Sequence, residues 1–102
     1  MARPMDMLCI YRVKPGKEDE FKQFLGKHWP TLHKAGLATD QPAKVSLGRT
    51  KEGSTAFIET FQWSDESSPG VAHQTPEVMA VWEPMGALTT HMEFMNVTPV
   101  RL

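Results

Sequence analysis

Four histidines, His28, His33, His73 and His91, and one acid, Glu59, are the side chains through which this sequence can move a proton. Imidazole accepts or donates a proton near neutral pH without special tuning. A carboxyl group reaches that range when it is buried without a partner. Glu59 stands among Phe57, Phe61 and Trp63, and the period of two in a strand puts all four on one face. If that face meets the helices, Glu59 reaches His28 or His73 across a cavity. If it meets a partner sheet, Glu59 is an interface salt bridge.

None of the histidines has metal-ligand spacing. His28 and His33, five positions apart, point about 140° away from each other on a helix, and there is no His-Glu-x-x-His pattern, so no metal site is expected. His28 reads either as a hydrogen-bonded core histidine or as a cavity residue. His73 precedes a helix start, while His33 reads as solvated and His91 as a surface or turn residue. Trp29, Trp82, Met79 and Met85 either line an apolar cavity or are plain core. The lone Cys9 cannot form an internal disulfide and reads as a small buried residue. No phosphate loop, nucleotide fingerprint or recognisable Ser or Cys nucleophile is present.

The elements that must position these groups follow from the apolar pattern. Met7 to Val13 predicts a strand closed by Pro15-Gly16, apolar enough in its middle for burial on both faces. Residues 17–35 predict a helix with Glu18, Asp19 and Glu20 in its first turn and Gly36 as its stop. One face of it carries Phe21, Phe24, Leu25, His28, Trp29 and Leu32, and Pro30 predicts a kink that Gly26 can absorb. Ala43–Arg49 and Ser54–Trp63 predict a hairpin, followed by a polar stretch from Ser64 to Gly70. Thr75-Pro76-Glu77 opens a second helix, which Pro84 is expected to bend or interrupt. Met92 to Val100 predicts the last strand.

This order is that of an α+β, ferredoxin-like β-α-β-β-α-β domain with an antiparallel sheet and both helices on one face. At 102 residues the chain has room for one domain spanning 1–102. Strands apolar on both sides call for a cover on the open face, and a second copy related by two-fold symmetry is the simplest one. Eleven Lys and Arg against twelve Asp and Glu leave a charge of -1 with no dense basic run, which argues against nucleic acid. No apolar stretch approaches the ~20 residues of a membrane span, and the N-terminal residues lack the apolar core of a signal peptide, so cytoplasm is the expected location.

Tyr11-Arg12-Val13-Lys14-Pro15-Gly16-Lys17-Glu18-Asp19-Glu20-Phe21, Phe57-Ile58-Glu59-Thr60-Phe61 and Ala72-His73-Gln74-Thr75-Pro76-Glu77 together resemble the dimeric α+β barrel superfamily, and within it the antibiotic biosynthesis monooxygenase-like group. The resemblance implies a homodimer whose sheets close into a barrel, with a small-molecule cavity between sheet and helices of each copy. It implies activities that include cofactor-independent oxidation of aromatic compounds, isomerase and lyase reactions and haem degradation. The haem-degrading branch uses an Asn at the end of the first strand, then a Trp and a His in the second-helix region. Tyr11, His73 and Trp82 or Glu83 stand there instead, so this branch is the one the chain resembles least.

Two functions of different class lead, with a haem-degrading oxygenase as the third. One is an oxygenase without metal or organic cofactor, or a related proton-transfer enzyme, in which Glu59 or His73 is catalytic. His28, Trp29, Tyr11, Phe61, Trp82 and Met85 would then contact a small aromatic or enolisable substrate. The other is a non-catalytic dimeric protein for ligand binding or assembly, in which the same residues are packing.

Overall fold

The structure, a computed structural model, describes residues 3–102, and the first two residues of the N-terminal stretch considered above lie outside it. Chain order is β1 (Met5–Val13), α1 (Glu18–Lys34), β2 (Lys44–Arg49), β3 (Thr55–Trp63), α2 (Ser68–Ala72), α3 (Pro76–Ala87) and β4 (Thr89–Asn96). The four strands form one antiparallel sheet in the order β2-β3-β1-β4, the ferredoxin-like arrangement. β1 and β3 are central, in register from Met5 opposite Trp63 to Tyr11 opposite Phe57.

α1 ends where Gly36 takes a φ of +77°, with Leu37 N–H donating to Leu32 O and Gly36 N–H to His33 O. Only glycine adopts that backbone without strain, and the paired bonds satisfy carbonyls the helix end leaves free. Pro30 does not end α1. The carbonyl of Gly26 that it leaves without a helical donor lies on the exposed side, where water serves.

Three expectations need correction. α3 runs uninterrupted through Pro84 to Ala87, because the carbonyl that Pro84 frees, at Ala80, also faces solvent. The break in this helical region lies upstream, since α2 takes up Ser68–Gly70 at the end of the polar stretch and runs on to Ala72. Asp65 starts it: its Oδ1 accepts from Ser67 N–H at 2.8 Å and from Ser67 Oγ–H at 2.6 Å. Those bonds hold the Asp65 carboxyl below its ordinary range. Finally, β4 spans Thr89–Asn96 rather than Met92–Val100. It starts as soon as α3 ends, and its last pair sets Asn96 opposite Met7, with Val97 N–H donating to Asp6 O just beyond.

Alternation along the strands divides the sheet into two faces. Cys9, Tyr11, Phe57, Phe61 and Trp63 turn toward the helices and pack with Phe21, Leu25 and Leu32 of α1 and Val78, Val81 and Met85 of α3. Leu8, Ile10 and Ile58 turn the other way and stay half-buried, with no helix of this chain over them. At the edge, Val45 and Leu47 pair with Glu59 and Phe57 on the helix side, yet the helices do not reach β2, and both are exposed.

Candidate functional site

The central strands bring the acid to the middle of the core. Glu59 sits on β3 with Cys9 opposite on β1 and Val45 opposite on β2, and it is fully buried. A buried carboxylate is costly unless donors surround it. Tyr11, diagonal to Glu59 across the β1–β3 ladder, donates its hydroxyl to Oε1 at 2.6 Å. From α1, His28 places Nδ1 at 2.8 Å from Oε1 and 3.0 Å from Oε2. The row of Phe57, Glu59, Phe61 and Trp63 therefore faces the helices, and Glu59 meets His28, not His73.

The other ring nitrogen of His28 fixes its protonation. Trp82 of α3 donates its indole N–H to His28 Nε2 at 2.8 Å, and an indole nitrogen is a donor only. Nε2 must therefore carry a lone pair, and the ring's hydrogen sits on Nδ1, directed at Glu59. His28 is the neutral Nδ1–H tautomer, assigned from the hydrogen-bond network. Glu59 accepts from both His28 and Tyr11, as an ionised carboxylate does. Trp82, His28, Glu59 and Tyr11 thus form one directional chain of hydrogen bonds.

The surroundings answer to this charge. Burial, and next the charge on Glu59, push the Tyr11 hydroxyl well above the ordinary tyrosine range. Burial first and Glu59 second likewise push the Cys9 thiol up to about 12. At neutral pH both stay protonated, so neither is a nucleophile or base in this setting.

A cavity of about 270 Å³ lies between sheet and helices beside this chain. Tyr11, His28, Phe61, His73, Trp82 and Met85, all candidates from the sequence, line it. Glu59 does not: it stands behind Tyr11 and His28 and acts on the cavity only through them. His73, at the end of α2, is exposed and meets the Trp82 ring edge-on at 4.9 Å, so it stands at the mouth. Trp29 is not brought to the cavity. It stacks on His33 at 4.6 Å with its indole N–H buried and unpartnered, at the edge of the α1 stripe. His33 itself is exposed and bonds Asp40 at 2.7 Å, and His91 pairs with Glu93 at 2.9 Å on the surface. Met79 is half-buried away from the cavity.

Cys9, Trp63, Met92 and Phe94 also line the cavity and were not singled out as site residues. Cys9 and Trp63 share the faces of Tyr11 and Phe61 by period two, so strand alternation alone would have found them. Met92 and Phe94 face the cavity because β4 pairs Met92 with Tyr11 and Phe94 with Cys9, a register that local sequence does not carry. Among the described residues, no three His, Cys, Asp or Glu side chains converge as a metal-ligand group.

No family model matches this chain, and no curated protein does. Solved structures do. SnoaB from Streptomyces nogalater, described as a cofactor-independent oxygenase, superposes with a TM-score of 0.68 at 17% identity over 99% of this chain and 97% of its own. A putative antibiotic biosynthesis monooxygenase from Bordetella bronchiseptica gives 0.72 at 16% over 99% and 100%. Another from Bacteroides thetaiotaomicron gives 0.69 at 15% over 97% and 91%. The chain therefore has the fold of the antibiotic biosynthesis monooxygenase-like α+β barrel proteins along nearly its whole length.

Proposed function

We propose, from that shared fold, that the chain is a cofactor-independent oxygenase, or a related proton-transfer enzyme, acting on a small aromatic or enolisable compound. One observation carries the reading: His28 presents Nε2 at the wall of an apolar cavity while its Nδ1–H is anchored on a carboxylate that solvent does not reach. An imidazole held this way offers its second nitrogen, which Trp82 occupies in the empty cavity, as a proton acceptor. In this reading His28 takes the proton, and Glu59 is the residue that positions it. His73 and Trp82 bound the mouth.

Deprotonation leaves a carbanion, enolate or phenolate in a largely apolar cavity, electron-rich enough to reduce dioxygen. The substrate supplies all four electrons that reduce dioxygen. A ring CH₂ becomes a carbonyl, one oxygen atom entering the carbon and the other leaving as water with the two hydrogens. The description of SnoaB as a cofactor-independent oxygenase supports this choice among activities.

A second reading is favoured by the same chain of bonds. Tyr11, Glu59, His28 and Trp82 satisfy one another inside the protein, as a purely structural network would, in a dimeric binding or assembly protein. Oxygen-electrode measurements with anthrones and hydroxynaphthalenes, in the presence of a chelator, separate the two. Uptake that falls on His28→Ala supports the oxygenase. Binding of these compounds with no uptake by any of them supports the second reading.

The bare outer face at Leu8, Ile10 and Ile58 supports pairing with a second copy through the sheet. The unpaired thiol of Cys9 suits the reducing cytoplasm.

A further inference from the structure

The bond between Trp82 and His28 joins the buried one of the cavity's two imidazoles to one of the few N–H donors in its wall. Each satisfies the other when the cavity is empty. Any ligand that uses His28 Nε2 must displace Trp82 from it, and the displaced indole N–H then needs an acceptor of its own. A single hydroxyl meets both demands, since it has one hydrogen to donate and lone pairs to accept with.

We infer that the substrate's hydroxyl inserts into the Trp82–His28 bond, donating to His28 Nε2 and accepting from Trp82 Nε1–H, and that Trp82 holds the oxyanion once His28 has taken the proton. This rests on the proton-accepting role given to His28 above. In the step, the substrate O–H bond breaks and an N–H bond forms at His28 Nε2. The ring becomes an imidazolium whose Nδ1–H still points at Glu59, and the electron pair stays on the substrate oxygen, facing the indole N–H.

Space permits the insertion. An oxygen seated between the two nitrogens requires them to separate by about 2 Å from their present 2.8 Å. Trp82 is only half-buried, and Met85, one turn along α3, is an adaptable neighbour. The ligand class follows from the rest of the wall. Among the described residues no Lys or Arg lines the cavity, so a carboxylate or phosphate would enter without a counter-charge. A neutral aromatic alcohol or enol that becomes charged only at the His28–Trp82 pair is the compound that fits. The titratable groups facing His28 are Glu59 on β3 and Tyr11 on β1, with Cys9 on β1 and His73 after α2 around the cavity.

The test reads ionisation and not turnover. para-Nitrophenol changes colour on losing its proton, and its methyl ether, para-nitroanisole, has no proton to give. Bound to the unmodified protein, the nitrophenol should ionise at a lower pH than in water. In Trp82→Phe the bound dye should ionise about one pH unit higher than in the unmodified protein, the size expected for one hydrogen bond to an anion. On the unmodified protein, the Trp82 indole N–H resonance should move with nitrophenol and far less with nitroanisole, which keeps the inference testable if the variant does not fold. Equal ionisation midpoints in the two proteins, equal resonance shifts with both compounds, or no binding of the dye would each overturn it. Absence of oxygen uptake by every substrate would remove the oxygenase reading and leave this assignment standing, because the dye reports proton transfer alone.

Discussion

The hydroxyl of Tyr11 lies 2.6 Å from Glu59 Oε1 although the two are 48 residues apart, because antiparallel pairing of β1 and β3 makes them diagonal neighbours on one face. Both are buried, and among the described residues this contact and that of His28 are the two that keep a buried charge supplied with donors.

Tyr11→Phe removes one of those donors and keeps the ring. The unfolding free energy measured in urea should fall by about 1–3 kcal/mol, the usual cost of leaving a buried polar group short of a partner. A change within the scatter of surface substitutions would mean that Glu59 does not depend on Tyr11.

Glu59→Gln keeps the shape and removes the charge. The amide oxygen still accepts from His28 Nδ1–H, so the tautomer and the Trp82 bond are retained, but the imidazolium formed when His28 takes a proton loses its counter-charge. The Trp82 indole resonance should therefore move little. With an active substrate, oxygen uptake should fall by about a hundredfold or more, the typical contribution of a positioned base.

Alkaline pH should unfold the protein earlier than its size suggests. In the unfolded chain the Cys9 thiol titrates near 9.0, whereas in the folded core it keeps its proton to about 12, and Tyr11 is shifted in the same direction. Both folded values are raised, so this stability is fully present below the unfolded values and is lost as pH rises through that window. Urea midpoints should hold steady up to pH of about 9.0 and decline above it, less steeply in Cys9→Ala. For the same reason Cys9 should resist thiol reagents at neutral pH until the chain is unfolded.

Ile10 and Ile58 are directly paired across β1 and β3 on the uncovered face of the sheet. If two copies pair there, light scattering should give twice the chain mass. Ile10→Asp should then shift the equilibrium to the single chain, because it puts a charge in the middle of the buried face. A single-chain mass for the unmodified protein at high micromolar concentration would rule out that pairing.

Much of the fold was legible because periodicity is local. The α1 stripe placed His28 among apolar residues, and alternation on β3 placed Glu59 among aromatics. What was not legible is which of these groups meet. The contact of Tyr11 with Glu59 depends on strand register, and that of Trp82 with His28 on how α1 and α3 lie over the sheet. α2 was hidden by Ser68, Pro69 and Gly70, which read as loop, although Asp65 holds the turn just ahead of it. Pro84 pointed to a bend or an interruption because a sequence does not say whether a freed carbonyl faces water. Trp29, at the margin of the α1 stripe, went to His33 instead of the cavity, a difference set by a small rotation about the helix axis.

The bare inner side of β2 also bears on how the protein behaves at high concentration. Val45 and Leu47 lie on an edge strand whose outer backbone groups have no ladder partner in this chain, which makes it a template for unwanted strand addition. Lys44 and Arg49 stand at its two ends, so a second β2 approaching antiparallel along it brings each Lys44 toward an Arg49. That repulsion between like charges acts as a gatekeeper, and salt screens it. Colloidal stability should therefore be greatest in dilute buffer, and salting the protein during concentration works against the two charges that guard its edge.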